Sequence, residues 1–136
     1  MANEFVGSAL YAQWITSAAT IQLNTDFRTW SYTPSIAFID ATAGADTAVQ
    51  RVVSFKDGSV ACDMLMLDNM ASATVAAFVE GQVGTLIWGE AGTAAGKQKV
   101  TLPAISMGIT RNSPYNDVVT LSIGWQQNGA RVDGTY

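Results

Sequence analysis

Residues Thr29 to Gly58, TWSYTPSIAFIDATAGADTAVQRVVSFKDG, constrain this chain more than any other stretch. Two runs rich in aromatic and β-branched residues, Trp30 to Ile39 and Val49 to Phe55, flank Asp40 to Thr47, where Ala, Gly, Asp and Thr dominate. Aromatic and β-branched side chains suit a pleated surface, and small turn-forming residues interrupt it, so the pattern predicts a long hairpin. Its connection exceeds the roughly two to five residues of an ordinary hairpin loop, a length that compact domains keep where a loop binds something or is disordered. No residue in it offers catalytic chemistry. Asp40, Ala41, Thr42, Ala43, Gly44, Ala45, Asp46 and Thr47 are therefore expected to dock onto another copy of the chain.

The 136 residues suffice for one domain with a real core, and no internal boundary divides residues 1–136. Apolar residues make up 49% and charged residues 13%, about half the charge usual in soluble domains, which implies surface buried between subunits. The apolar residues come in short blocks, none near the eighteen or so needed to cross a bilayer as a helix, so no membrane partner is expected. Met1 to Gly7 carries Glu4 and no basic cluster, unlike a signal peptide. At a net charge of −4 with scattered Lys and Arg, the chain has no footprint for gripping phosphates. It has no histidine and one cysteine, Cys62. The commonest general base, the commonest metal ligand and any intramolecular disulfide are thereby excluded. No enzyme activity, cofactor or metal is expected.

Along the chain, Leu10 to Ile15 and Ala19 to Leu23 read as short strands, with Trp14 as a core anchor. Pro34 cannot donate to a ladder and predicts an edge or a bulge. Lys56-Asp57-Gly58 reads as a tight turn. In the following strand Val60, Cys62, Met64 and Met66 share one face and Ala61, Asp63, Leu65 and Leu67 the other, so cover on both sides is expected. Asp68 and Asn69 offer an N-cap and Gly81 a C′ residue, predicting one helix over Met70 to Glu80. Gly89 to Gly96 is a flexible connection. Alternation in Lys99 to Thr110 changes face at Pro103 and predicts a bend there. Asp117 to Gln126 alternates most cleanly, with Val119, Leu121, Ile123 and Trp125 inward and Thr120, Ser122, Gly124 and Gln126 outward. Gln127 to Tyr136 has few large apolar residues and reads as an arm ordered by a partner.

The segments IDATAGAD (Ile39 to Asp46), SFKDGS (Ser54 to Ser59), GTLIWGEAGTAAGK (Gly84 to Lys97) and SPYNDVVTLSIGWQQNG (Ser113 to Gly129) together resemble the major tail tube proteins of long non-contractile-tailed bacteriophages. The resemblance rests on joint order and spacing over nearly the whole chain. It implies a β-sandwich or β-barrel with one flanking helix and a protruding hairpin loop, and a virion protein that polymerises as stacked hexameric rings. The resemblance also implies partners in tape-measure, tail terminator and distal tail proteins, and assembly in the host cytoplasm. It assigns Asp40 to Gln50 to contact with the adjacent ring and suggests no appended domain after Tyr136. A bore that passes DNA without holding it needs a small, polar, neutral or acidic lining. Thr120, Ser122, Gly124 and Gln126, with Asp117 at the strand's start and Asp63 nearby, fit that requirement.

Two alternatives stand beside this reading. A tail terminator or capsid decoration protein would also be a small β-domain of low charge. A carbohydrate-binding β-sandwich could stack sugars on the four Trp and four Tyr residues, although Trp14, Trp30, Trp88 and Trp125 fall at positions that suit core packing.

Overall fold

The computed structural model describes residues 7–17, 19–24, 27–66 and 76–136. A 3-10 turn at Gly7–Ala9 precedes eight strands: β1 (Tyr11–Ile15), β2 (Thr20–Gln22), β3 (Phe27–Asp40), β4 (Arg51–Leu65), β5 (Val83–Gly89), β6 (Gln98–Asn112), β7 (Thr120–Gln127) and β8 (Val132–Thr135). They pair antiparallel in one sheet of order β2-β1-β5-β6-β7-β4-β3, with β8 on β6. The mainly β expectation holds, but the sandwich or closed barrel does not. The sheet is open, ending at β2 and β3. Strand twist accumulates across it and rolls it over its own core. Trp30 of β3 thus meets Trp88 of β5 at 5.5 Å between ring centroids, and Trp14 of β1 meets Trp125 of β7 at 5.8 Å.

Period-two alternation built this core. Ile123 and Trp125 of β7 join Val60, Cys62 and Met64 of β4, Leu102 and Ala104 of β6 and Leu86 and Trp88 of β5 in one core cluster, and Leu121, paired with Met64, is also buried. Trp14 is fully buried, as the sequence pattern requires of an anchor, and its Nε1–H donates to the Ala77 carbonyl at 2.8 Å. Cys62 is a core residue, and burial, with Asp63 adding to it, pushes its thiol up to about 12. The opposite face of β4 is not covered, since Ala61 and Asp63 are exposed.

The hairpin is β3–β4, and Pro34 sits on the sheet's edge strand. Lys56-Asp57-Gly58 forms no turn, because β4 runs straight through it. Gly58 answers a packing demand instead. A Cβ there would meet Gln127 Oε1 and Tyr32 Cε1, each at 2.9 Å.

The flanking helix is not borne out. Residues 70–75 of the expected helix lie outside the described residues, and after Ala76 the chain runs in turns. The end of this segment is tied to the sheet. Ala77 accepts from Trp14, Phe78 accepts from Ser106 Oγ at 3.0 Å, and Gly81 N–H donates to the Ser106 carbonyl at 2.9 Å. The same serine moves the irregularity expected at Pro103. Leu102, Ala104, Ser106 and Gly108 stay inward, and register shifts only between Ser106 and Ile109, where Gly108 has φ +100°. A buried hydroxyl held by a carbonyl occupies an inward position that hydrophobic alternation alone could not assign. Finally, the C-terminal segment is no free arm. Residues Val132–Thr135 form β8 on the edge of β6, and Tyr136 N–H donates to the Lys97 carbonyl at 2.9 Å.

Candidate functional site

Cross-strand register carries the outward positions of β7 across three strands. Gln126 pairs with Ser59, Gly124 with Ala61, Ser122 with Asp63 and Thr120 with Leu65. On β3, Thr33, Ser31 and Thr29 continue the first three of these rows. Cross-strand partners share a face, so this side of β3–β4–β7 presents hydroxyls, small residues, the Gln126 amide and one carboxylate, with Leu65 at its end. Lys and Arg are absent from those rows. Ser122 Oγ donates to Asp63 Oδ1 at 2.7 Å, and Thr29 Oγ1 donates to Asp63 Oδ2 at 2.9 Å. These two hydroxyls, with Arg28 acting at longer range, hold the Asp63 carboxyl below the usual carboxylate range. One side chain thus ties three strands together and keeps its charge on the exposed face.

Beyond the Ser59–Gln126 pair, β4 loses β7 and the hairpin continues as a two-stranded ribbon. Phe38 pairs with Val53 and Ile39 with Val52, on opposite faces, so the ribbon is apolar on both sides. Neither face is covered. Phe38 is 55% exposed and Phe55 79%. A register shift between Ile36 and Phe38 marks a bulge near the ribbon's middle. The connection at the tip is closed by its own polar groups. Thr42 N–H donates to Asp40 Oδ1 at 2.9 Å, Gln50 N–H to Thr42 Oγ1 at 2.9 Å, and Ala43 N–H to Asp46 Oδ2 at 2.7 Å. The Thr42 bonds hold the Asp40 carboxyl low.

The sequence-assigned residues therefore fall into two separate places. Thr120, Ser122, Gly124 and Gln126 share the polar face, and Asp117 lies in the turn before β7, its Oδ1 accepting from Val118 N–H at 2.8 Å. Asp40, Ala41, Thr42, Ala43, Gly44, Ala45, Asp46 and Thr47 form the ribbon's exposed tip. Sequence reasoning missed Thr29, Ser31, Thr33 and Ser59 as members of the polar face. Alternation with Trp30, Tyr32 and Val60 was the available signal, but the pairing that aligns these residues with β7 is a tertiary fact.

No protein-family model matches the sequence, and no curated protein matches it. Solved structures do match. A chain from the tail of an empty gene transfer agent (GTA) particle, refined with C6 symmetry, has a TM-score of 0.76 at 13% identity, covering 97% of this chain and 100% of that one. A chain of the SPP1 tail tube has a TM-score of 0.75 at 8% identity, over 98% of this chain and 80% of that one. A chain in the six-fold symmetrised baseplate of the anti-feeding prophage (AFP) has a TM-score of 0.67 at 10% identity, over 99% of this chain and 98% of that one. The shared feature is the backbone: this chain has the phage tail-tube fold.

Proposed function

We propose that this chain is the structural subunit of a phage-type tail tube, closing six to a ring, with rings stacked into a tube through which DNA passes. The observation that carries this reading is a polar sheet face bounded by two open edges. The face spans β3–β4–β7, and Thr110 and Asn112 of β6 extend its rows through Ser122 and Thr120. The outer edge of β3 is unpaired. Among the described residues, β6 has no ladder partner on its β5 side beyond Ser106. Edges left open on both sides of one face suit closure by copies of the same chain into a continuous barrel, which removes every edge. The side chains lining such a barrel would be Asp117, Thr120, Ser122, Gly124 and Gln126, joined by Asp63 and Thr29. Arg28 borders this lining beside Asp63, but the paired rows themselves carry no Lys or Arg, so they add little salt-dependent grip on phosphates and DNA slides along them.

In the same reading the apolar ribbon and its tip, Asp40 to Thr47, reach the adjacent ring. The tape-measure, terminator and distal tail proteins are its further partners, the host cytoplasm its place of assembly and the virion tail its destination. The role is structural rather than catalytic. Negative-stain microscopy of the purified protein tests the proposal: six-fold rings or tubes with a central bore are expected. A protein that stays monomeric by sedimentation at high concentration overturns it, and a population of single unstacked rings points instead to a terminator.

A further inference from the structure

Three of the 12 glycines follow an Asp or Asn, in Asp57-Gly58, Asn128-Gly129 and Asp133-Gly134. Such a dipeptide can modify itself, because a Gly nitrogen has no Cβ beside it to hinder attack on the side-chain carbonyl one residue back. The reaction needs that nitrogen and that carbonyl to be free. Gly58 is buried within β4, and its N–H donates to Asp57 Oδ1 at 2.8 Å. Gly134 is paired with Lys99 in the β8–β6 ladder, and Asp133 Oδ1 is engaged by Arg131 Nε at 3.3 Å, besides being part of a carboxylate, a poor electrophile. Asn128-Gly129 is built differently. Both residues are exposed and lie between β7 and β8, outside any strand. Asn128 N–H donates to the Pro103 carbonyl at 2.8 Å, and the Gly129 carbonyl accepts from Gln127 Nε2 at 2.8 Å. Among the described residues neither the Asn128 side-chain amide nor the Gly129 N–H has a hydrogen-bond partner. Gly129 has φ +139°, a state that residues with a Cβ rarely adopt, so the position keeps its unhindered nitrogen.

We infer that Asn128 is a site of spontaneous self-modification that loosens β8. The Gly129 nitrogen attacks Asn128 Cγ, an N–Cγ bond forms, the Cγ–Nδ2 bond breaks, and the proton lost by the nitrogen leaves with the amide group as ammonia. The product is a cyclic imide. Water then opens the ring in one of two ways. Cleavage between the nitrogen and Cγ leaves an aspartate at 128, whereas cleavage between the nitrogen and the main-chain carbonyl carbon leaves an isoaspartyl linkage, with the main chain running through Cβ and Cγ. Both products add a negative charge, and the second also lengthens the backbone by one methylene. That extra length enters a short, tied connection. A Cβ on Gly129 would meet the Pro103 ring at 3.4 Å, Arg131 Nη1 donates to Tyr32 Oη at 3.3 Å, and Val132 is at once in register with Thr101. An inserted methylene moves Val132 out of that register and Arg131 away from Tyr32 at the ribbon's base. The inference does not depend on the tube reading.

Ageing the purified full chain at mildly alkaline pH, folded and in urea, tests both parts. Peptide mapping by tandem mass spectrometry is expected to find Asn128 of the folded chain converted about tenfold faster or more than Asn112 and Asn116, whose following residues carry a Cβ. An isoaspartyl-specific methyltransferase should label the folded chain at position 128 alone, and the urea-unfolded chain at Asp57 and Asp133 as well. Asn128→Ala should lose the label at 128. Conversion of Asn128 in urea but not in the folded chain, or faster conversion of Asn112 or Asn116, overturns the site. The consequence is read by amide hydrogen exchange over Val132–Thr135, with Asn128→Asp as the reference that adds the charge without the methylene. Loss of protection is expected in the isoaspartyl form and not in Asn128→Asp. Equal protection in the two would show that the longer backbone leaves β8 in place and would overturn that half of the inference.

Discussion

The two halves of the β3–β4 hairpin are built from the same kinds of residue and meet opposite fates. In the proximal half, Trp30, Tyr32, Val60, Cys62 and Met64 point into a rolled sheet, while Thr29, Ser31, Ser59 and Asp63 stay wet. In the distal half, Phe38 and Val53 occupy one face and Ile39 and Val52 the other, and all four are more than half exposed. A two-stranded ribbon has no third layer to cover either face and is marginal by itself in water. The same β-branched and aromatic composition therefore stabilises one half through its own core and equips the other half to be stabilised by a neighbour. Covering Ile36, Phe38, Ile39, Val52, Val53 and Phe55 would contribute on the order of 10 kcal/mol gross, before the costs of association are subtracted.

That contrast can be broken in four places, ordered by their effect on the isolated chain. Trp125→Ala, in the proximal core between Trp14, Trp30 and Phe78, is expected to remove about 3–5 kcal/mol of stability. A marginally stable domain of ~5–15 kcal/mol then unfolds at modest denaturant concentrations, measurable by urea titration. Ser106→Ala leaves the buried Phe78 carbonyl without its hydroxyl donor and removes the acceptor of Gly108 N–H. It should cost about 1–3 kcal/mol, read as a lower urea midpoint with an unchanged slope.

On the ribbon the expectation reverses. Phe38→Ser with Val53→Ser, or deletion of Gly44 to Thr47, should shift monomer stability by no more than ~0.5 kcal/mol while blocking tube growth. Comparable loss of monomer stability in these variants and in Trp125→Ala would erase the distinction between the two halves. The smallest effect lies on the polar face. Asp63 is held low in the folded chain by Ser122 and Thr29, so its contribution is present above the unfolded aspartate value of about 3.9 and is lost as pH falls through the folded value. Asp63→Asn should lower stability at neutral pH slightly and flatten the loss of stability on acidification. Parallel acid-unfolding curves for the two proteins would show that the carboxylate contributes nothing there.

Local chemistry made several of these features legible. Alternation in Val119 to Trp125 identified an inward apolar face and an outward polar one, and the structure buries Leu121, Ile123 and Trp125 accordingly. The hairpin, the edge position of Pro34 and the burial of Trp14 and Cys62 also follow from residue types whose preferences are short-range. Misreadings occurred where a residue has two physical uses. Gly58 supports either a turn or a close approach, and only Tyr32 and Gln127, distant in sequence, select the second. Ser106 looks like a break in an apolar pattern until the Phe78 carbonyl is placed above it. A terminal Gly marks a helix end, yet Gly81 N–H donates to the Ser106 carbonyl of β6 and the chain after Ala76 runs in turns.

What the sequence determined unaided is therefore period-two chemistry in its clearest stretches: that the Trp30–Ile39 and Val49–Phe55 runs form a hairpin, and which side of the Asp117–Gln126 strand is apolar. These follow because side-chain alternation and turn preference act within a few residues. Only the tertiary structure decided which strands lie side by side. Strand pairing placed Thr29, Asp63 and Ser122 in one hydrogen-bonded row across β3, β4 and β7, rolled an open sheet until Trp30 met Trp88, and drew the C-terminal segment onto β6 as an eighth strand. Those outcomes depend on long-range register, which is set by the joint burial of all the inward faces at once and is written in no single segment.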